Sequence, residues 1–297
     1  MNKEHWLAER RKGIGGSDAA AALGLSQYKT PYQLYLDKIG EAPDQEDNEA
    51  MLWGRALEPV IRQQYAERTG RTVLMPKHIL RHDKHSFMLA NIDGYTDGGR
   101  LLEIKTTRTA KGWGEPDTDE IPDVYGMQIQ HYLIVTGLVV ADVAVLIGGS
   151  DYRQYVVEAD KELQELIIEG EADFWRHVEN REPPEPVSYS DVVARYGRHS
   201  EAREIEADDD VLGDLGGLHN VRIEIKELQK TEESFKTSIM KAMGDADTLT
   251  YRGERLVTWK ASKGASRFDA TAFKKAHPDL YAQFTKTGEP GRRFLIK

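Results

Sequence analysis

The chain has 297 residues, no cysteine and a formal net charge of −10 at pH 7. Its length allows one sizeable core with an appendage or two modest domains, and the lack of cysteine excludes disulfides and thiolate metal sites. The acidic charge argues against simple coating of nucleic acid by a basic surface, so any nucleic-acid site must be a local basic patch or a metal-bridged pocket.

The N-terminal segment is predicted to be helical and interrupted by glycines. Helical pieces extend over Trp6 to Gly40 and are broken at Gly13 to Asp18. Glycine permits a tight backbone there, and either Ser17 or Asp18 can cap the alanine-rich helix that follows. The free amide groups at such a helix start are suited to an anion.

Two further helices precede the first strand. One begins at Pro31, since proline is favoured at the first helical position, and the other ends at about Thr69, where Gly70 stops it. Pro59 lies inside this longer helix, so we expect a kink or a restart at that point.

From Val73 onward apolar and polar residues alternate, which is typical of strands. The pattern predicts three antiparallel strands joined by two turns, over Thr72 to Leu80, Phe87 to Asp93 and Leu101 to Thr106. Asp93 ends the second strand and Glu103 lies within the third, so the hairpin brings the two carboxylates together.

The following segment alternates helices and strands. A helix, two strands and a second helix are predicted over residues 123–136, 141–147, 153–157 and 161–179. This order of elements indicates an α/β core in which a central mixed sheet is flanked by helices.

Three prolines between residues 183 and 186 mark a domain boundary. We therefore expect a first domain over residues 1–182, a Pro-rich linker over 183–200, and a C-terminal region over 201–297. An apolar stripe from Val211 to Met243 predicts one long amphipathic helix, interrupted near Glu232, followed by a hairpin and a basic tail. The apolar stripe is interpreted either as packing on the first domain or as an oligomer contact.

The tripeptide Glu103-Ile104-Lys105 is the strongest chemical signal of the chain. Asp93 and Glu103 offer hard oxygen ligands that favour Mg²⁺, with Mn²⁺ as a substitute, and the Ile104 carbonyl is a further candidate ligand. Lys105 lies two residues beyond Glu103 and so faces the same side of the strand. Such a group fits phosphodiester hydrolysis, although the pattern alone fits a surface hairpin with an ion pair equally well.

Five sequence segments, taken in chain order, favour a hydrolytic site at Glu103-Ile104-Lys105 over a surface hairpin. They are residues 10–18 (RRKGIGGSD), 54–59 (GRALEP), 91–94 (NIDG), 102–106 (LEIKT) and 128–132 (QIQHY). In these segments the chain resembles the phage λ exonuclease/YqaJ-type recombination nucleases, a family of the PD-(D/E)xK superfamily with RecB-like motifs. The resemblance covers residues 6 to 136 and implies a PD-(D/E)xK, restriction-endonuclease-like core.

The resemblance implies roles for the residues that match its motifs. Asp93 and Glu103 match the main metal ligands, Glu58 a helix glutamate that joins the metal shell, and Lys105 the catalytic lysine. Gln128 matches a residue that orients the lysine or the scissile phosphate.

For Tyr132 and for the segment with Arg10, Arg11 and Ser17, the resemblance leaves alternatives open. Tyr132 follows Gln128 at a spacing that places both on one helix face, and it either supports the site or packs in the core. Arg10 or Arg11, together with Ser17, matches the arginine and serine that hold the terminal 5′-phosphate. The doubled arginine leaves that register open, and for Ser17 simple helix capping is the alternative.

The function that the resemblance implies is a Mg²⁺-dependent exonuclease that degrades duplex DNA 5′→3′ from its ends and leaves 3′ single strands for recombination. Implied partners are double-stranded DNA ends, further copies of the chain in a trimer ring, and a single-strand annealing protein. A ring reconciles DNA binding with the acidic charge, because its lumen can be basic while its outer surface is acidic.

Two alternatives remain at this stage: a structure-specific or restriction-like endonuclease on the same core, and a non-catalytic DNA-binding or assembly protein. The apolar stretch from Leu133 to Gly149 is interrupted and shorter than the roughly 20 residues that a membrane-spanning helix needs. The N-terminus lacks the apolar core of a signal peptide. We therefore expect a cytoplasmic protein without membrane contact. The resemblance implies a bacterial host and a phage or prophage context.

Overall fold

The computed structural model describes residues 8–42, 48–198, 203–264, 266–286, 288 and 291–296. The chain divides into two compact units, Met1–Arg198 and His199–Lys297. Among the described residues, no helix combines the length and the apolar character needed to cross a membrane.

Six helices and eight strands of the first unit lie entirely among its described residues. The helices are α1 (Gly16–Ala22), α2 (Pro31–Ile39), α3 (Glu49–Thr69), α4 (Asp123–Thr136), α5 (Lys161–Asn180) and α6 (Tyr189–Tyr196). The strands are β1 (Ile14–Gly15), β2 (Val73–Leu74), β3 (Leu80–Arg81), β4 (Met88–Ala90), β5 (Gly94–Thr96), β6 (Leu101–Thr107), β7 (Val140–Ile147) and β8 (Asp151–Glu158).

A five-stranded mixed sheet forms the centre of this unit, in the order β2-β5-β6-β7-β8. β6 and β7 run parallel over seven paired residues, whereas the other neighbours are antiparallel. A parallel pair needs a crossover connection, which α4 provides. The predicted α/β core with a central mixed sheet is confirmed.

The sheet is covered by apolar side chains on both faces. On one face, residues of α4 such as Ile129 and Leu133 pack with Val143 of β7. On the other face, Ile61 and Tyr65 of α3 pack on β6 and β7. Strands buried on both faces require nearly continuous apolar sequence, which explains the pattern of residues 140–147.

The segment from residue 72 to 93 differs from the prediction. The expected long strands are short pieces in two sheets, because β2 pairs with β5 while β3 pairs with β4 in a small sheet ordered β1-β4-β3. Pro76 lies between β2 and β3 and cannot donate to a ladder. Asp93 does not end a long strand as predicted; it lies between β4 and β5.

Helix boundaries follow the local signals with two corrections. Thr30 caps α2 by accepting a hydrogen bond from the Gln33 amide. Gly70 ends α3 in a left-handed conformation with φ 68°. α3 continues through Pro59, so of the predicted kink or restart, the restart is wrong. α1 begins at Gly16 rather than Ala19, so Ser17 lies within the helix and does not cap it.

Residues 183–200, interpreted from sequence as a linker, contain α6. Its Asp191 is fully buried and accepts a hydrogen bond from the Thr30 hydroxyl at 3.0 Å. The division between the two units falls after Arg198. Most of this range therefore folds with the first unit.

The second unit contains α7 (Asp209–Met243), an antiparallel hairpin of β9 (Thr248–Tyr251) and β10 (Glu254–Thr258), and the short helices α8 (Ala270–Ala276) and α9 (Pro278–Phe284). α7 is continuous over 35 residues, so the predicted interruption near Glu232 is wrong. Glu232 forms an ion pair with Lys236 one turn later, which supports the helix at that point.

Candidate active site

Asp93 and Glu103 meet where the ladder between β5 and β6 ends. The paired residues of these strands are Gly94 with Leu102 and Tyr95 with Leu101, so Asp93 comes opposite the next part of β6. Its Oδ2 accepts a hydrogen bond from the Ile104 amide at 2.7 Å. The side chain of Asp93 thus takes the place of a backbone partner on this edge of β6.

Glu103, Lys105 and Gln128 form a closed triad. Glu103 Oε1 lies 2.6 Å from the Lys105 ammonium and accepts a hydrogen bond from Gln128 Nε2 at 2.7 Å. Lys105 in turn donates to Gln128 Oε1 at 2.9 Å, and its ammonium lies 4.8 Å from the ring centre of Tyr125. The lysine is therefore fixed from three sides.

The electrostatics of the triad favour a charged lysine. Burial opposes the ammonium of Lys105, but the charge of Glu103 outweighs this effect and raises the pKa of Lys105. Burial also raises the pKa of Glu103, although Lys105 acts in the opposite direction. Lys105 is thus an ammonium at neutral pH, available to stabilise negative charge on a phosphate.

The environment of Asp93 disfavours the ionised form of its carboxyl group. Burial, followed by the charges of Glu103 and Glu58, raises the pKa of Asp93 to about 8. Glu103 Oε2 is buried and has no hydrogen-bond partner. The charges of Glu103 and Glu58 both raise the pKa of Asp93, and the unpartnered Glu103 Oε2 is buried beside them, so a cation would stabilise this site.

Glu58 approaches this centre from α3. It forms an ion pair with Arg62 one turn later, and Arg62 Nε donates to the Asp93 carbonyl at 3.1 Å. The charge of Glu58 acts on both Asp93 and Glu103. The arginine holds the glutamate beside the two other carboxyls.

The carboxylate oxygens of this site are suitable ligands for a divalent cation. Within the part of the chain that the structure describes, no three His, Cys, Asp or Glu side chains are gathered as a ready ligand group. Glu58 is paired with Arg62, and Glu103 with Lys105. The Ile104 amide points to Asp93, and in a strand the carbonyl of a residue points to the same side as its amide. Hard oxygen donors of this kind suit Mg²⁺.

Arg10 and Ser17 come together at the other end of the site. Arg10 Nη2 lies 3.1 Å from Ser17 Oγ and also donates to both oxygens of Asp18. Arg11 points elsewhere, with its guanidinium beside Gly40 at the end of α2. The geometry therefore pairs Ser17 with Arg10.

Tyr132 joins the two halves of the site. Its hydroxyl accepts a hydrogen bond from Gln128 Nε2 at 3.2 Å. Its ring packs so closely on Gly16 that a Cβ there would lie 2.4 Å from a ring carbon. Tyr132 also lines a cleft of ≈ 80 Å³ together with Arg10 and Ser17. The segment around Ser17 and the helix that bears Gln128 are thus in direct contact.

Three side chains at the site were not assigned a role from sequence. Asn91 lines the same cleft, and its position two residues before Asp93 was a signal that could have identified it. Tyr125 lies one turn before Gln128 on α4, so helical spacing could have indicated it. Lys38 contacts Asp18 from α2, and nothing in the local sequence distinguishes it from a surface lysine.

The chain is similar in sequence to a known protein over its full length. Residues 5–139 match the model of the YqaJ-like viral recombinase domain. The chain is 36% identical over 309 residues to the uncharacterized protein YqaJ of Bacillus subtilis (strain 168), and the match spans 100% of this chain and 95% of that protein. The chain belongs to the YqaJ-like viral recombinase family. The predicted family is confirmed.

Solved structures extend this finding to the fold of the YqaJ-like chain. An alkaline exonuclease (LHK-Exo) from Laribacter hongkongensis is 23% identical, with a TM-score of 0.50, over 60% of this chain and 94% of that one. The structure of LHK-Exo in complex with dAMP matches with a TM-score of 0.50, 22% identity and the same coverage. The YqaJ-like chain thus shares its fold with an alkaline exonuclease.

Proposed function

We propose that this protein is a Mg²⁺-dependent exonuclease that degrades duplex DNA from its ends in the 5′→3′ direction and supplies 3′ single strands for phage-type recombination. The observation that carries the proposal is the triad of Glu103, Lys105 and Gln128 beside Asp93. Family membership and the fold shared with an alkaline exonuclease support the same activity.

The proposed mechanism assigns a distinct task to each side chain. Asp93, Glu103 and the Ile104 carbonyl would hold the metal, with Glu58 completing the shell. Bound there, Mg²⁺ would neutralise the phosphate and make a water molecule more acidic. Lys105 stabilises the negative charge that develops on the phosphate oxygens, and Gln128 keeps its ammonium in position.

The choice of DNA ends over internal sites rests on Arg10 and Ser17. A guanidinium beside a hydroxyl suits a phosphate monoester, because charge-assisted hydrogen bonds to phosphate are short and strong. The pair lines a cleft together with Tyr132, which also contacts Gln128. We infer that a terminal 5′-phosphate binds there while the adjoining phosphodiester lies near Lys105. LHK-Exo has been determined in complex with dAMP, which accords with a nucleotide site on this fold.

A comparison of linear and closed DNA tests the activity. With Mg²⁺, the wild type is expected to degrade a linear duplex and to leave a covalently closed plasmid intact. Labels placed at the 5′ or the 3′ end report the direction, because 5′→3′ digestion releases the 5′ label first. Cleavage of the closed plasmid would instead support an endonuclease on the same core.

Matched variants test the site. Glu103→Gln and Lys105→Ala are expected to lower the rate by about 100-fold or more, the scale of losing one preorganised charge-stabilising group. Glu169→Gln and Lys84→Ala, at exposed positions of the same unit, serve as controls. Wild-type rates in both site variants would refute the assignment, and a wild type without activity would favour a DNA-binding or assembly role.

The trimer ring and the annealing protein remain part of the proposal. A closed ring would let the acidic chain surround duplex DNA with a basic lumen, which reconciles DNA binding with the net charge of −10. The molar mass of the protein in solution and co-purification with an annealing protein test these two points separately.

A further inference from the structure

A buried lysine lies behind the pair formed by Arg10 and Ser17. The Lys38 side chain is 2% exposed, and its ammonium donates to Asp18 Oδ2 at 2.7 Å and to the Arg10 carbonyl at 3.1 Å. A buried ammonium is costly unless it is paired and hydrogen-bonded. Lys38 therefore contacts Arg10 directly through the backbone.

Asp18 extends this contact to the guanidinium. Its Oδ1 accepts from Arg10 Nη2 at 3.2 Å, and its Oδ2 accepts from the Gly15 amide at 3.4 Å. The same Nη2 lies 3.1 Å from Ser17 Oγ. Lys38 thus holds Arg10 at two points, the carbonyl and, by way of Asp18, the guanidinium.

The charges of the three groups explain why a lysine is needed. Burial alone would raise the pKa of Asp18, but Lys38 and Arg10 outweigh burial and hold that pKa well below its usual range. Asp18 is therefore a carboxylate next to the place where an anion would bind. Lys38 shares the Asp18 carboxylate with Arg10. Without Lys38, Asp18 would draw more strongly on the guanidinium, and less of the positive charge of Arg10 would remain for an incoming phosphate.

We propose that Lys38, acting through Asp18, is a positioning residue that enables Arg10 and Ser17 to recognise a terminal phosphate monoester on DNA. This inference rests on the proposed function, since it concerns the same site. Lys38 keeps the guanidinium directed at Ser17 and shares with it the neutralisation of Asp18.

Two duplexes of the same sequence, one with 5′-phosphate and one with 5′-hydroxyl ends, test this role. The measured quantity is the ratio of their cleavage rates at subsaturating DNA. Lys38→Met, which keeps the length of the side chain without its charge, is expected to lower the ratio about tenfold, the scale of one charge-assisted hydrogen bond. The change should appear in KM for the phosphorylated duplex, and Lys38→Arg should recover part of it.

A double variant separates positioning from structural damage. The double variant Arg10→Ala/Lys38→Met is expected to show the same ratio of cleavage rates as Arg10→Ala alone. The reason is that Lys38 acts on the terminal phosphate through the guanidinium of Arg10, which both variants lack. Thermal unfolding of each variant measures loss of stability independently. If Lys38→Met does not fold, Lys38→Gln, which keeps a hydrogen-bond donor, is the substitute and is expected to lower the ratio as well.

The outcomes distinguish this inference from the proposed function. A wild type that cuts neither duplex overturns both. A wild type that cuts both duplexes equally overturns the role of Arg10 and Ser17, and Lys38 with it. A wild type that prefers phosphorylated ends, with the same preference in the folded Lys38 variants, overturns the inference about Lys38 alone.

Discussion

The Lys105 ammonium donates a hydrogen bond to the side-chain carbonyl of Gln128 over 2.9 Å. Because Gln128 also donates to Glu103 from its other terminal atom, one amide sets the orientation of both charged groups. Strand β6, which carries Glu103 and Lys105, is thereby tied to α4, the helix that follows it.

Gln128→Ala is expected to reduce the cleavage rate by about 10–100-fold, the range seen when a side chain that orients catalytic or metal-binding groups is removed. The reduction should fall on kcat, since the ammonium of Lys105 loses its position and not its charge. Steady-state kinetics on a linear duplex measures it. Gln130→Ala is the matched control, because Gln130 is a buried glutamine of the same helix that bonds the Glu158 carbonyl. Equal losses in both variants would contradict the role of Gln128.

Gly16→Ala should destabilise the protein by about 1–3 kcal/mol, the usual cost of overpacking. A Cβ at this position would meet the ring of Tyr132 at 2.4 Å. Gly126→Ala on α4 is the control, since a Cβ there meets nothing within 4 Å, and it should stabilise the helix by up to ~1 kcal/mol. Urea unfolding of the two variants measures the expected decrease and increase in the free energy of unfolding. An unchanged free energy in Gly16→Ala would show that the contact between Gly16 and Tyr132 is loose.

Asp18→Asn is expected to lower the free energy of unfolding by about 3 kcal/mol at neutral pH, because it leaves Lys38 buried without its carboxylate partner. The pKa of Asp18 is lower in the folded protein than its unfolded value of 3.8. Its contribution to stability is therefore complete above that value and declines as the pH falls below it. Urea unfolding at about pH 7 and about pH 3 should show a smaller difference between wild type and variant at the lower pH. A difference independent of pH would contradict the ion pair.

Mg²⁺ is expected to raise the melting temperature of the wild type, because a ligand that binds the folded state stabilises it by mass action. Asp93→Asn and Glu103→Gln should each reduce the increase, since both remove a proposed oxygen ligand. Thermal unfolding with EDTA and with increasing Mg²⁺ measures the effect without reference to cleavage. An equal increase in wild type and both variants would place the cation elsewhere.

Much of the fold follows from local sequence signals. Thr30, Gly70 and Gly137 end or begin helices by short-range chemistry, so the boundaries of α2, α3 and α4 are close to those predicted. The nearly continuous apolar sequence of β7 follows from the burial of both faces of that strand. The approach of Asp93 to Glu103 was also predictable, because only a short turn separates β5 from β6.

The remaining features depend on contacts between distant segments. The division of residues 72–93 between two sheets depends on β1, which pairs in parallel with β4, and no local pattern encodes that partner. Lys38 is distinguished from a surface lysine only by Asp18, twenty residues earlier in the chain. Arg10 and Arg11 are adjacent and have the same side chain, so the sequence does not show which of them contacts Ser17. The direction of each side chain in the structure identifies Arg10.

The free edge of β6 beyond Leu102 has a consequence for solubility. An unpaired strand edge can recruit a strand from another molecule, and proteins often protect such edges with inward-facing charges. Asp93 provides this protection by occupying the Ile104 amide. Asp93→Ala would remove this acceptor and open a template for aggregation, so Asp93→Asn, which retains an acceptor, is the safer substitution.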